Sequence, residues 1–131
     1  MPIKCSYDKN GGVILIGTGT LLAKDILEVN RSIYATHEKI KKTPYQICDY
    51  TKVEKVKIES EELIKIAEQD NEAALVNPGM IIAVAAKKDL TFGLSRVWEA
   101  HINTSIEKLH VFRTVQECEE WIESKQNIDR S

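Results

Sequence analysis

Three apolar runs punctuate the chain: Val13-Ile14-Leu15-Ile16, Tyr45-Gln46-Ile47-Cys48 and Met80-Ile81-Ile82-Ala83-Val84-Ala85-Ala86. Each is followed by residues whose apolar positions recur at helical spacing. Repeated strand-then-helix order predicts parallel strands joined by helical crossovers. Runs that are apolar almost without interruption need cover on both faces, so the pattern predicts a layered α/β/α arrangement rather than a one-sided antiparallel sheet.

The remaining elements follow from local signals. Ile3 to Tyr7 alternates weakly and ends in Asp8-Lys9-Asn10-Gly11-Gly12, where Asn-Gly predicts a hairpin and hence an antiparallel first pair of strands. Gly17-Thr18-Gly19-Thr20 then reads as a connection, and Ala23, Ile26, Ile33 and Ile40 as the apolar face of one long helix ending at Lys42 before Thr43-Pro44. The next strand spans Tyr45 to about Tyr50. Polar residues Thr51 to Glu59 lead to Ser60, which reads as the N-cap of a helix with a buried stripe of Leu63, Ile66, Ala67 and Ala74. After the turn Asn77-Pro78-Gly79 and the central strand, Asp89 reads as the cap of a helix carrying Leu90, Leu94, Val97, Trp98 and Ile102. Gly93 inside that helix costs about 1 kcal/mol relative to alanine and calls for a packing or functional reason. Leu109 to Phe112 is the last strand, and Thr114-Val115-Gln116-Glu117 is a capping box. The helix it opens should bury Val115, Cys118, Trp121 and Ile122, with residues 124–131 a frayed polar tail. The expectation is one domain over residues 1–131, with a five-stranded, mostly parallel sheet whose N-terminal strand is antiparallel. Helices should cover both faces through right-handed crossovers.

Charge narrows the function classes. With 20 acidic against 18 basic residues the formal charge is -2, too balanced to steer the chain onto nucleic acid or an anionic membrane. The longest apolar stretch, Met80 to Ala86, is far too short for stable membrane insertion, and no charged segment leads into an apolar signal region, so a cytoplasmic location is expected. Cys5, Cys48 and Cys118 are odd in number and widely spaced, which argues against a disulfide framework or zinc ribbon. His37, His101 and His110 show no ligand spacing, and His37 falls on the first helix's apolar stripe as a core or boundary residue. No metal and no cofactor is implied.

Candidate chemistry is sparse. Gly17-x-Gly19 meets Leu22 where a dinucleotide fingerprint needs its third glycine. Cys48-Asp49 has no base placed beside it, so no catalytic residue is identified and an enzyme is not expected. The carboxyl ends of parallel strands are the usual ligand crevice, which makes Asp49, Thr51, Phe92, Gly93 and Arg96 the candidate binding residues. In that role Arg96 would receive an anionic head group and Phe92 would wall an apolar cavity. The competing reading has Gly93 admitting tight helix–sheet packing and Arg96 pairing with Glu99 or Glu62.

Gly19-Thr20-Leu21-Leu22-Ala23-Lys24-Asp25, Phe92-Gly93-Leu94-Ser95-Arg96-Val97-Trp98-Glu99 and Val111-Phe112-Arg113-Thr114 running into Glu119-Glu120-Trp121-Ile122, in this element order, resemble the SpoIIAA-like branch of the STAS superfamily. Small bacterial proteins of that branch are related to anti-sigma-factor antagonists and to lipid-binding CRAL-TRIO domains. The resemblance implies a STAS-like regulatory or binding module, with a protein partner or a small amphiphilic, lipophilic or anionic ligand. The alternative is a ligand-free scaffold, such as a homodimer formed by an apolar two-fold face around Trp98. An uncharacterised enzyme stands third. The antagonists' phosphorylated serine would correspond to Ser60, but Glu59, Glu61 and Glu62 flank it, the glycine of the motif is missing, and the added negative charge would be repelled.

Overall fold

The computed structural model describes residues 2–103 and 108–130, the last four as backbone only. Ten elements follow in order: β1 (Ile3–Tyr7), β2 (Val13–Leu22), α1 (Ala23–Ile33), α2 (His37–Lys41), β3 (Tyr45–Lys57), α3 (Ser60–Val76), β4 (Ile81–Ala85), α4 (Asp89–Ala100), β5 (Leu109–Phe112) and α5 (Val115–Arg130). They form one five-stranded sheet of order β1-β2-β3-β4-β5, with β1 antiparallel to β2 and every other neighbouring pair parallel. The α/β class and the antiparallel N-terminal strand are as the sequence predicts.

Sequential order has a consequence for the layers. Crossovers of one hand that always step in the same direction lay their helices on the same side of the sheet. Buried residues of α1, α2, α3 and α4, among them Ile26, Ile40, Ile66 and Trp98, accordingly join Leu15, Cys48, Tyr50, Ile82, Val84 and Val111 in one core. Among the described residues only α5 covers the opposite face, where Cys118 and Ile122 meet Tyr45, Ile47, Ile81, Ala83 and Ala85. Trp121 is half-buried there, less enclosed than expected, beside Phe112 with ring centroids 5.5 Å apart.

Several boundaries differ from the sequence reading. The expected long first helix is two: α1 stops at Ile33, and Thr36 caps the short α2 by accepting from the Lys39 amide. His37 opens α2 on its solvent side and is exposed instead of sitting on an apolar stripe. The polar stretch after Tyr50 is strand, because pairing with β2 holds it extended as far as Lys57, through a register shift between Val53 and Lys55. Gly17 to Thr20 likewise continues β2 through two register irregularities, one of them at Gly19, whose φ of 65° suits a residue without a side chain. β2 and β3 thus outrun β4 as a two-stranded ribbon ending at the Leu22–Lys57 pair. Ser60 is the first helical residue of α3, and Glu59 takes the cap with Glu62 answering it. Lys88, not Asp89, occupies the cap of α4. The Thr114–Glu117 capping box is present at α5. The backbone beyond Ser124 stays helical to Arg130 instead of fraying, in keeping with its Lys, Gln and Arg content; Ser131 lies outside the described residues.

One turn glycine is held by packing. A methyl group at Gly12 would overlap the Tyr45 ring, whose hydroxyl donates to Asp8 and is thereby fixed over the β1–β2 turn. Gly12→Ala should therefore cost about 1 to 3 kcal/mol through overpacking, read as a lowered urea midpoint at unchanged m value. An unshifted midpoint would show that the Tyr45 ring yields freely.

Candidate functional site

The buried stripe of α3 runs Leu63, Ile66, Ala67, Asp70, Ala73. Helical spacing therefore carries one carboxylate into the core. Asp70 is 5% exposed, and both of its oxygens are engaged. Tyr34, the C-terminal cap of α1, donates its hydroxyl to Oδ1 at 2.8 Å, and Trp98 of α4 donates Nε1 to Oδ2 at 2.9 Å. Gln46 of β3 in turn donates from Nε2 to the Tyr34 hydroxyl and to the Met80 sulfur. Asn30, on the buried stripe of α1, donates to Gln69 of α3 at 2.9 Å. Three helices and the sheet thus meet through one polar cluster.

Burial pushes the Asp70 carboxyl up to about 6, even though the Tyr34 and Trp98 hydrogen bonds favour its ionised form. The same burial, and the neighbouring Asp70 charge, lift the Tyr34 hydroxyl well above its ordinary range. The Cys48 thiol is also pushed strongly up by burial, so it is no thiolate nucleophile.

Beside this cluster the helical layer and the sheet leave a cavity of about 60 Å³, and with the open mouth counted the space between atoms reaches about 600 Å³. Its walls are mostly aliphatic and come from the sheet (Leu15, Ile82, Val84), from α3 (Leu63, Ile66) and from α4 (Thr91, Leu94, Ser95, Trp98). Of the lining residues only Val56, Ile58, Leu94 and Ser95 are partly exposed. The mouth therefore lies between the far end of the β2–β3 ribbon and α4, and Asp70 belongs to the closed interior.

The residues singled out from sequence are divided between two faces, outside this cavity. Cys48 and Tyr50 point into it, so the intervening Asp49 and the following Thr51 face the α5 side, where Asp49 Oδ1 accepts from the Thr51 amide (3.0 Å) and hydroxyl (2.6 Å). Thr91, Leu94, Ser95 and Trp98 line the cavity, which turns Phe92, Gly93 and Arg96 of the same helix away from it. The Arg113 guanidinium stacks on Phe92 at 3.9 Å. Arg96 Nε meets Glu99 at 2.8 Å, the surface pair that was the competing reading. Gly93 has open space around its missing side chain, so close packing does not explain it. Ser60 is exposed among its glutamates. A sheet with no reversal of strand order also has no switch point, which is the geometric reason for a crevice at strand ends. Asp70, Tyr34 and Gln46 escaped the sequence reading. The available signal was the carboxylate seven residues after Leu63 and three after Ala67, on the helix's own apolar stripe.

Among the described residues no group of three His, Cys, Asp or Glu side chains is placed to hold a metal, and no helix is long and apolar enough to cross a membrane. No protein-family model matches the chain, and no curated protein sequence matches it. It is similar in structure to an uncharacterized protein from the DUF3478 family with a SpoIIAA-like fold, from Shewanella loihica PV-4, at 15% identity and a TM-score of 0.50, over 92% of this chain and 91% of that one. The fold is SpoIIAA-like.

The raised Asp70 value fixes a pH dependence. The folded state holds this proton up to about pH 6, whereas an unfolded aspartate releases it near 3.8. The associated stability is fully present below the lower value and is lost as pH rises through the upper one. Relative to Asp70→Asn, the wild type should lose on the order of 3 kcal/mol between pH 4 and pH 7 and nothing further above it. Denaturant midpoints of the two proteins across that range check this, and parallel curves would mean that Asp70 is ionised throughout.

Proposed function

We propose that this chain is a non-enzymatic, STAS-like binding module of the cytoplasm that holds a small lipophilic molecule between its helical layer and its sheet. The observation that carries this reading is the aliphatic cavity with its mouth at Val56, Ile58, Leu94 and Ser95. A cavity of about 60 Å³ is smaller than the engineered cavities of about 150 Å³ that admit benzene. Binding thus requires Leu94 and Ser95 to part from Val56 and Ile58, and each methylene buried contributes about 0.8 kcal/mol towards that opening. Three free cysteines suit a reducing compartment, and the high Cys48 value together with an Asp70 already held by two donors supports binding over catalysis.

A second reading, an interaction scaffold, is favoured by the outer face of α4. Leu90 is 62% and Val97 40% exposed, and Gly93 lies open between them on the same helical stripe. Trp98, expected at the centre of such a face, is instead buried against Asp70.

Benzene, with no polar group to anchor it, separates the two. Titration should shift the methyl NMR signals of Leu63, Ile66 and Val84 saturably, and Leu94→Trp at the mouth should reduce the effect at least tenfold. No saturable shift, together with a dimer in sedimentation velocity that Val97→Glu dissociates, would replace the binding module by the scaffold. Gly93→Ala should stabilise the monomer by up to about 1 kcal/mol, since nothing crowds the added methyl.

A further inference from the structure

The closed end of the cavity has a definite hydrogen-bonding sense. The single Tyr34 hydroxyl proton and the single Trp98 ring proton both go to Asp70, and the Gln46 amide donates to Tyr34 and Met80. The donors of this cluster therefore face inward. Each Asp70 oxygen accepts one of these bonds and retains further accepting capacity. Among the described residues Asp70 is also the one charged residue in the cavity lining: no described lysine, arginine or histidine lines it to neutralise an incoming anion.

We propose that the cavity selects small lipophilic molecules bearing a hydroxyl or ammonium donor, with Asp70 as their anchor, and discriminates against carboxylates and phosphates. This rests on the cavity being a lipophilic site. It narrows the ligand class by excluding the anionic head group that an Arg96 crevice would favour. The donor would sit at Asp70 and the hydrocarbon would run past Ile66 and Leu63 towards Val56 and Ile58 at the mouth. An anionic head group would instead be brought, with its water removed, against a carboxylate that is ionised above about pH 6.

Three probes with the same chain test this at pH 8: 1-hexanol, hexylammonium and hexanoate, followed by methyl NMR on the unmodified protein. The alcohol and the ammonium should each bind at least tenfold more tightly than hexanoate, and Asp70→Asn should bring all three within about threefold. The ranking is read on the wild type, so it decides the matter even if the variant does not fold. Hexanoate binding as tightly as hexanol, while benzene still binds, would overturn the anchor and leave the lipophilic site standing. Failure of benzene and of all three hexyl probes would overturn both.

Discussion

A carboxylate buried in an apolar core is the constraint around which the helical layer is arranged. Removed from water without partners, the Asp70 charge would cost several kcal/mol, so the fold must bring donors to it. Those donors come from far along the chain, Tyr34 from the end of α1 and Trp98 from the last turn of α4. Meeting this need fixes where α1 must stop, because Tyr34 has to leave the helix as its C-cap with its ring turned towards α3. It also fixes the rotation of α4, since Trp98 can donate only from a helix that turns Thr91, Leu94 and Ser95 inward as well. The same rotation leaves Leu90, Gly93 and Val97 outside.

The sheet imposes the second condition. Stepping from β2 to β5 in one direction stacks α1 to α4 side by side over one face, and a single helix is left for the other. In a doubly wound sheet helices diverge to opposite faces where the order reverses, and a crevice opens at the strand ends. Here the loose place is between layers. Four helix segments must be fitted over a sheet whose β2–β3 ribbon projects beyond β4, and the packing closes around the polar cluster but not at the ribbon's far end.

Much of this order could be read in the letters. The uninterrupted apolar runs revealed the parallel strands, Asn10-Gly11 the hairpin, and Thr114 with Glu117 the start of α5. Each of these is a local signal whose tertiary context agrees with it. The misjudged segments are those in which local and long-range preferences compete. Thr51 to Lys57 looks like a polar loop because its apolar positions are only every third residue or so, yet pairing with β2 holds it extended. The break after Ile33 has no proline or glycine to announce it; Thr36 caps α2 there, and the Tyr34 hydroxyl bonds to a residue 36 positions away. The candidate site was illegible for the same reason. Sequence spacing shows that Asp70 lies on an apolar stripe, but only the fold shows that Tyr34 and Trp98 converge there.

The polar cluster and the cavity are also linked energetically. Asp70, Tyr34 and Gln46 are rigid because their bonds satisfy one another, and rearranging any of them would strand a buried polar atom. The opposite end has no such penalty: Val56, Ile58 and Leu94 contribute only dispersion and partial burial, and they already touch solvent. Opening therefore costs least at the mouth and most at Asp70. On the proposed binding reading, a pocket with a rigid polar end and a yielding apolar end would adapt to different tail lengths while keeping one head-group preference, so chain length would discriminate poorly among ligands and donor chemistry well.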